Sequence, residues 1–472
     1  MTSLAMNADD VPAGGVKERA ARGKAARQFA PLDDHARFER SPTVDPMGIL
    51  ATQALTRVPE LLPIRHGRMA ASPFAFYRGA AGIMAADLSS TPSSGLRAQV
   101  CGDAHLSNFG LYLAPDRRMV FDVNDFDETL PGPWEWDVKR LVASVEIAGR
   151  ERGFTDPERR KIALAAGSGY REAMRDFAGR PNASVWYARV DVQDLLRRRK
   201  SELTARQRSR TAAAVTKAGR RDSLQAARKI TRLVDGERRL ISDPPLLVPL
   251  EDLLPAAVAD ETLAGLTAML SGYRRSLQHD RRALLDQFRL AHVAHKVVGV
   301  GSVGTRAWVI LLVGRDDDDV LLLQAKEAQP SVLAPYVRPG RITHQGERVV
   351  RGQHLMQAAT DIFLGTQRLT GPQGVRRDFY IRQLRDGKGS AAVAEMIPSG
   401  MAAYARLCAW TLARAHARSG DRVAIAGYLG SSGRFERAVA DFAVGYADQN
   451  AADHAALVRA VAAGQIVASS GI

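Results

Sequence analysis

Cysteine is nearly absent: Cys101 and Cys408 are the only two in 472 residues. Two thiols far apart in the chain exclude a disulfide framework, and neither belongs to a Cys-x-x-Cys pair, so a thiolate zinc cluster is excluded too. A reducing compartment is the expectation. Long apolar runs are also missing. WVILLV at 308–313 falls far short of the roughly 18 residues that cross a bilayer, and the first thirty residues hold no apolar h-region of about 7 residues. These absences predict a cytoplasmic protein with no membrane partner. Acidic residues are scarce in one stretch. Between Arg197 and Arg239, 15 basic residues face four acidic ones, so eleven of the fifteen net positive charges lie there. The same stretch contains no aromatic side chain for base stacking, and no helix-turn-helix or RNA-recognition signature accompanies it. Specific nucleic-acid binding is not expected. The stretch reads either as a solvated basic face or as a wall of an acceptor cleft that favours anions.

Apolar residues make up 46% of the chain, enough for a packed core. Five segments are expected. Residues 1–45, rich in Ala, Gly and charge, read as a flexible arm. Residues 46–180 form a first ordered block, and 181–294 a basic, largely helical insertion, with a helix from about 260 to 294 carrying Leu266, Met269, Leu270 and Tyr273 at helical spacing. From His295 the texture turns to strands: KVVGVGSVG, TRAWVILLV, a polar GRDDDD turn, then VLLLQAKEA. A helix is predicted at about 345–364 and a strand at 378–384, closing a small lobe at 295–390. Residues 391–472 are Ala-rich and helical after Pro398. No fixed-period repeat is visible.

Three motifs carry chemistry. Gly299-Val-Gly301-Ser302-Val-Gly304 lies between β-rich runs rather than ahead of a helix, which argues against a dinucleotide-binding turn and suits a flap whose backbone approaches nucleotide phosphates. Lys326 follows in the third strand of the same meander, on the face opposite Leu323 and Ala325, at the position of a lysine that holds the α- and β-phosphates of ATP. Glu347, early in the next helix, is a candidate partner for it, or else an exposed acid at a helix N-terminus. Far upstream, Asp103, His105, Asn108, Asp122, Asp125, Asp127 and Asp137 fall within 35 residues. Asn108 and Asp125 suit oxygen ligation of magnesium, with Asp103 as the base for an attacking hydroxyl. Asp122 competes with Asp125 for the metal role: it ends a strand, whereas Asp125 fits the spacing to Asp137. His292 and His295 have no third ligand, Asp316 to Asp319 lack the glycine and glutamate of an EF-hand, and there is no Gly-x-Ser-x-Gly elbow.

The run of Asp103, Asn108 five residues on, Asp125 seventeen later and Asp137 twelve beyond resembles the catalytic loop, metal-binding acid and structural aspartate of aminoglycoside-phosphotransferase-like kinases. The wider set RMAASPFAFYRG, CGDAHLSNFG, NDFDET, GPWEWDVKRL and VVGVGSVGTR, over about 45 to 465, resembles the bacterial domain-of-unknown-function family 2252, regarded as protein-kinase-like. The resemblance implies an α+β, two-lobed kinase-like fold using ATP and Mg2+. The acceptor stays unidentified. Cys101 stands where phosphotransferases carry a loop-anchoring His. The motif order is inverted, with base and metal loop before flap and lysine, so a circular permutation is expected, its hinge near Arg385–Gly389. The leading function is phosphoryl transfer to a hydroxyl. The alternatives are adenylyl transfer, or a nucleotide-binding regulatory protein that transfers nothing.

Overall fold

The strand Val320–Ala328 is buried on both faces, as its near-continuous apolar sequence requires. It lies inside a six-stranded antiparallel sheet ordered Gly365–Thr370, Arg376–Gln383, Val320–Ala328, Ala307–Val313, Arg289–Lys296 and Leu247–Pro249. Alternation divides its side chains. Leu321, Leu323 and Ala325 pack beneath Leu266, Met269 and Tyr273 of the helix Ala256–Ser276, while Leu322 faces Val309, Leu311 and Leu240 on the other side. Lys326 points with Leu322, toward a cavity described below. The computed structural model describes residues 14–198, 223–253, 255–297, 303–337, 342–370, 374–384 and 389–469. Gly299, Gly301 and Ser302 of the expected flap, residues 199–222 of the basic stretch and 385–388 of the expected hinge lie outside the described residues.

Two expectations for the middle of the chain are corrected. The helix begun near 260 stops at Ser276, and a short helix His279–Leu285 precedes the strand Arg289–Lys296. His292 and His295 therefore sit on a strand, where period two places them on opposite faces. His292 Nε2 lies 2.8 Å from Glu251, and His295 packs edge-on against Trp308. Residues 181–294 are no separate insertion either, because Leu247–Pro249 joins the sheet and Ala256–Ser276 covers it. The helix predicted to reach 364 ends at Met356, since Gly365–Thr370 pairs with Arg376–Gln383.

The other half is helical and draws on both ends of the chain. Trp134–Glu151 is buried along almost its whole length, packed by Asp156–Ala178, Pro398–Ser419 and Arg434–Ala462 in one continuous core. No described helix is long and apolar enough to cross a membrane. The part of the expected flexible arm that is described is ordered. Its helix Val16–Ala25 crosses Arg422–Leu429 so closely that a Cβ on Gly23 would lie 1.9 Å from Ala424 O, and one on Gly427 2.4 Å from Ala20 O. Two glycines thus let the backbones touch, and Arg19 and Arg22 both pair with Asp421 at the crossing.

His35, also in that arm, is fully buried with Nε2 2.6 Å from Tyr428 Oη. Burial first, and the nearby charge of Lys139 second, push its pKa down to about 3. A histidine held neutral in the fold stabilises it above the unfolded pKa, and that contribution is lost as pH falls from about 6.5, because the unfolded chain binds a proton the fold cannot. The denaturant midpoint is expected to drop between about pH 7.5 and pH 5, and His35→Gln to flatten that decline. Equal slopes in both proteins would disprove the assignment.

Candidate functional site

One short hairpin and an antiparallel strand pair that brackets it in sequence bring the polar cluster together. Phe109–Leu113 pairs with Met119–Val123 in a register that sets Phe109 opposite Val123. The residues just outside this open end, Asn108 and Asn124–Asp125, are consequently neighbours, although Asn108 and Asp125 are seventeen positions apart in the chain. Asn108 Oδ1 accepts from Asp125 N at 2.7 Å, while its Nδ2 donates to Asp103 O at 2.9 Å and Asp125 O at 3.1 Å. Arg97–Val100 pairs with Leu130–Pro133, which lays the Cys101–Asp103 turn beside residues 126–129. Gly102 makes that approach feasible: φ is +78°, and a Cβ there would strike Glu128 O at 2.5 Å.

The helix Trp134–Glu151 supports this loop with residues three and seven apart, one face of a helix. Asp137 accepts from Cys101 N (2.7 Å) and Gly102 N (2.9 Å), Arg140 Nε donates to Asp103 Oδ1 (2.7 Å), and Ser144 Oγ accepts from Leu106 N (3.1 Å). Arg140 also stacks on Tyr77, its guanidinium 4.5 Å from the ring centroid. Cys101 is buried, and its Sγ accepts from Asn108 Nδ2 at 3.7 Å, which is not the anchoring of a histidine. Instead His416, from the helix Pro398–Ser419, sets Nε2 3.2 Å from Asp137 Oδ2.

Asp122 is occupied elsewhere. Its carboxylate pairs with the equally buried Arg414 and accepts from Ala358 N at 2.9 Å, and it does not line the cavity. Asp125 does line it.

From the sheet comes Lys326, 3% exposed, whose Nζ pairs with Asp127. Cross-strand register places Tyr380 beside Lys326 and Arg382 beside Gln324, so all four share a face. Tyr380 Oη donates to the other Asp127 oxygen at 2.8 Å. Burial opposes ionisation of Asp127, yet Lys326 beside it outweighs that and holds the carboxyl well below its usual range. Burial likewise works against the Lys326 ammonium, but Asp125 and Asp127 raise its pKa well above that of an ordinary lysine. It stays charged. Burial drives the neighbouring Glu128 up to about 7 and His105 down to about 4.

Glu347 is not the lysine's partner. It lies half-exposed and pairs with Arg351 one turn along. The helix Gln345–Met356 turns Arg348 inward instead, donating to Thr129 O (2.7 Å), Asp127 O (2.8 Å) and Gln329 O (2.8 Å). Of the expected flap, Gly304 is described: φ is +90°, its carbonyl accepts from Val58 N at 2.8 Å, and Arg57 donates to Val303 O.

Asp103, Asn108, Asp125 and Lys326 all border one cavity of about 520 Å³, with Asp127, Glu128, Arg57, Arg78, Gln324 and Arg382 also in its wall. That volume lies within the range of small-molecule sites. Asp127, Tyr380 and Arg382 received no role from the sequence. Alternation in RRDFYIRQ, with Phe379 and Ile381 in the core, was the signal that sets Tyr380 and Arg382 on the opposite face. Among the described residues no three His, Cys, Asp or Glu side chains converge as a closed metal centre.

Comparison with known families gives a match over residues 57–460 to a family of uncharacterised proteins conserved in bacteria, DUF2252. The chain belongs to this family. The matched span takes in both strand pairs, the helix beneath them and the whole six-stranded sheet. No curated protein and no solved structure matches the chain.

Proposed function

We propose that this DUF2252 protein is an ATP- and magnesium-dependent phosphotransferase of kinase-like, circularly permuted fold, acting on a hydroxyl of a small molecule or a protein. The observation that carries the reading is the convergence of Asp103, Asn108 and Asp125 with Lys326, some two hundred positions away, on one cavity. The order of elements supports it. A glycine-bearing loop between Arg289–Lys296 and Ala307–Val313, a lysine on the next strand, a helix and two further strands make the series in which protein kinases place flap, phosphate-holding lysine and first helix. Here that series follows the Asp103 loop, and helices from both chain ends share one core, as a permutation requires.

The donor set fits magnesium. Asp125 uses one oxygen to accept from Asp127 N at 3.2 Å and the other in no hydrogen bond within the described residues. Asn108 Oδ1 retains a lone pair. Magnesium takes one or two protein oxygens plus phosphate oxygens, so an open site without a third carboxylate suits it. When bound, the ion would offset charge on the phosphate oxygens. Asp103, held at Oδ1 by Arg140, presents its other oxygen to accept the hydroxyl proton. Lys326 holds the α- and β-phosphates, and Asp127 and Tyr380 aim it.

A second reading, nucleotide binding with adenylyl transfer or with no transfer, draws on the Arg140 clamp, which already occupies one oxygen of the Asp103 carboxylate. Titration calorimetry with a non-hydrolysable ATP analogue is expected to show binding that needs magnesium; intact protein binding neither nucleotide nor the pair would end the proposal. Mass spectrometry of acceptors after incubation with ATP then separates a gained phosphate from a gained adenylyl group.

A further inference from the structure

The cavity has two unlike walls. The sheet supplies Lys296, Gln324, Lys326, Arg382 and Leu384, while the helical half supplies Arg68, Arg78, Asp103, His105 and Asn108. On the sheet side Lys326 pairs with Asp127, and Arg382 is drawn to Asp125 and Asp127. Arg57, under the glycine loop, likewise feels Glu128 and Asp127.

The helical wall is different. Arg78, on the helix Pro73–Gly79, makes no hydrogen bond or ion pair among the described residues, and its Nε is buried with no partner. Asp103 attracts it from nearby, but Arg140 already holds that carboxylate. Arg68 sits close enough to repel it. One layer behind, fully buried Arg65 donates only to neutral groups, Gln53 Oε1 and Gly79 O, both at 3.1 Å, and leaves Nε and Nη1 unpaired. Gln53 and Gly79 themselves border the cavity. His105, buried beside Asp103, also has a ring nitrogen without a partner. Guanidinium groups taken from water without a carboxylate are costly to the fold. A wall that nevertheless gathers them around the base is shaped for charge brought by a ligand.

We propose that Arg78, with Arg68 and Arg65 behind and beside it, binds an anionic group, a phosphate or carboxylate, on the acceptor molecule itself, so that the acceptor is an anionic alcohol such as a phosphorylated polyol or sugar. This rests on the phosphotransferase reading for the word acceptor, but not for the binding of the anion. The transfer it implies is balanced: the acceptor oxygen bonds to the terminal phosphorus of ATP, the bond from that phosphorus to the bridging oxygen breaks, ADP leaves with the electron pair, and the hydroxyl proton passes to Asp103. The anion on Arg78 takes no part beyond orienting that hydroxyl.

The test uses matched probes, glycerol 3-phosphate and glycerol, titrated calorimetrically into the intact protein with and without a saturating non-hydrolysable ATP analogue and magnesium. Glycerol 3-phosphate is expected to bind in both conditions, glycerol in neither, and Arg78→Gln to weaken the phosphate probe by on the order of tenfold or more, with Arg78→Lys recovering part of it. Affinity for the ATP analogue should be unchanged in Arg78→Gln, which also verifies that the variant is folded. Equal binding of glycerol, no binding of glycerol 3-phosphate, or binding that survives Arg78→Gln overturns the proposal and leaves the nucleotide reading intact. Phosphate binding that needs Arg78 in a protein that ignores ATP upholds the anion site and overturns the phosphotransferase instead.

Discussion

Lys326→Met is expected to weaken binding of a magnesium–ATP analogue by about 10- to 100-fold, the worth of charge-assisted contacts to phosphate of roughly 1.5–3 kcal/mol. It should also destabilise the protein. Lys326 and Asp127 form a nearly enclosed pair, with side chains 4% and 23% exposed, and removing one partner of such a pair costs about 3–5 kcal/mol because the other charge loses the counterion bonded to it. Tyr380 still donates to Asp127 in the variant, which places the loss toward the lower end of that range. The double variant Lys326→Met, Asp127→Asn separates the two effects. It removes the Asp127 charge as well, so the denaturant midpoint should return most of the way to wild type while nucleotide affinity stays low. A folded Lys326→Met that binds the analogue as tightly as wild type would falsify the role given to the lysine. An unchanged denaturant midpoint would show that the pair contributes nothing to the fold.

The sequence announced the parts of this site that depend on local pattern. Alternation along VLLLQAKEA separated Lys326 from Leu323 and Ala325, and the close spacing of Asp103, Asn108 and Asp125 marked one cluster. What stayed hidden was phase and distance. The helix Gln345–Met356 begins after His344, whose Nδ1 accepts from Glu347 N at 3.2 Å. That start fixes which residues turn inward: Arg348, Gly352 and Met356 are buried while Glu347 is turned to solvent. A shift of one residue, 100° on a helix, would have reversed the roles of Glu347 and Arg348, and composition gives no handle on it. Residues 14–45 were misread for a different reason. Their helix has little apolar surface of its own and is held by contacts made about four hundred positions away, through Gly23 against Ala424 and Arg19 against Asp421. Window-based reasoning cannot see such partners.

The choice between Asp122 and Asp125 illustrates the same limit, and it leads to the sharpest pair of variants. Both acids end or follow the same strand, but alternation carries Asp122 away from the cavity, onto Arg414, with each residue about 1% exposed. Asp125, beyond the strand's end, borders the cavity and makes no ion pair within hydrogen-bonding distance among the described residues. Asp122→Asn should therefore behave as a stability variant: Arg414, which already has Nη1 unpaired, loses the only carboxylate it pairs with among the described residues, at a cost of about 3–5 kcal/mol. The protein that remains folded should bind nucleotide and magnesium as wild type does. Asp125→Asn should do the reverse. Its backbone and shape are kept, the denaturant midpoint moves little, and the magnesium-dependent part of nucleotide affinity disappears, since a neutral amide is a far poorer ligand for a hard dication than a carboxylate. Calorimetric titrations of each variant at several magnesium concentrations, beside denaturant unfolding, read both quantities. Magnesium dependence abolished by Asp122→Asn yet retained in Asp125→Asn would move the metal to the buried acid and require Arg414 to leave it, a rearrangement that the close packing of Arg414 in the helical core opposes.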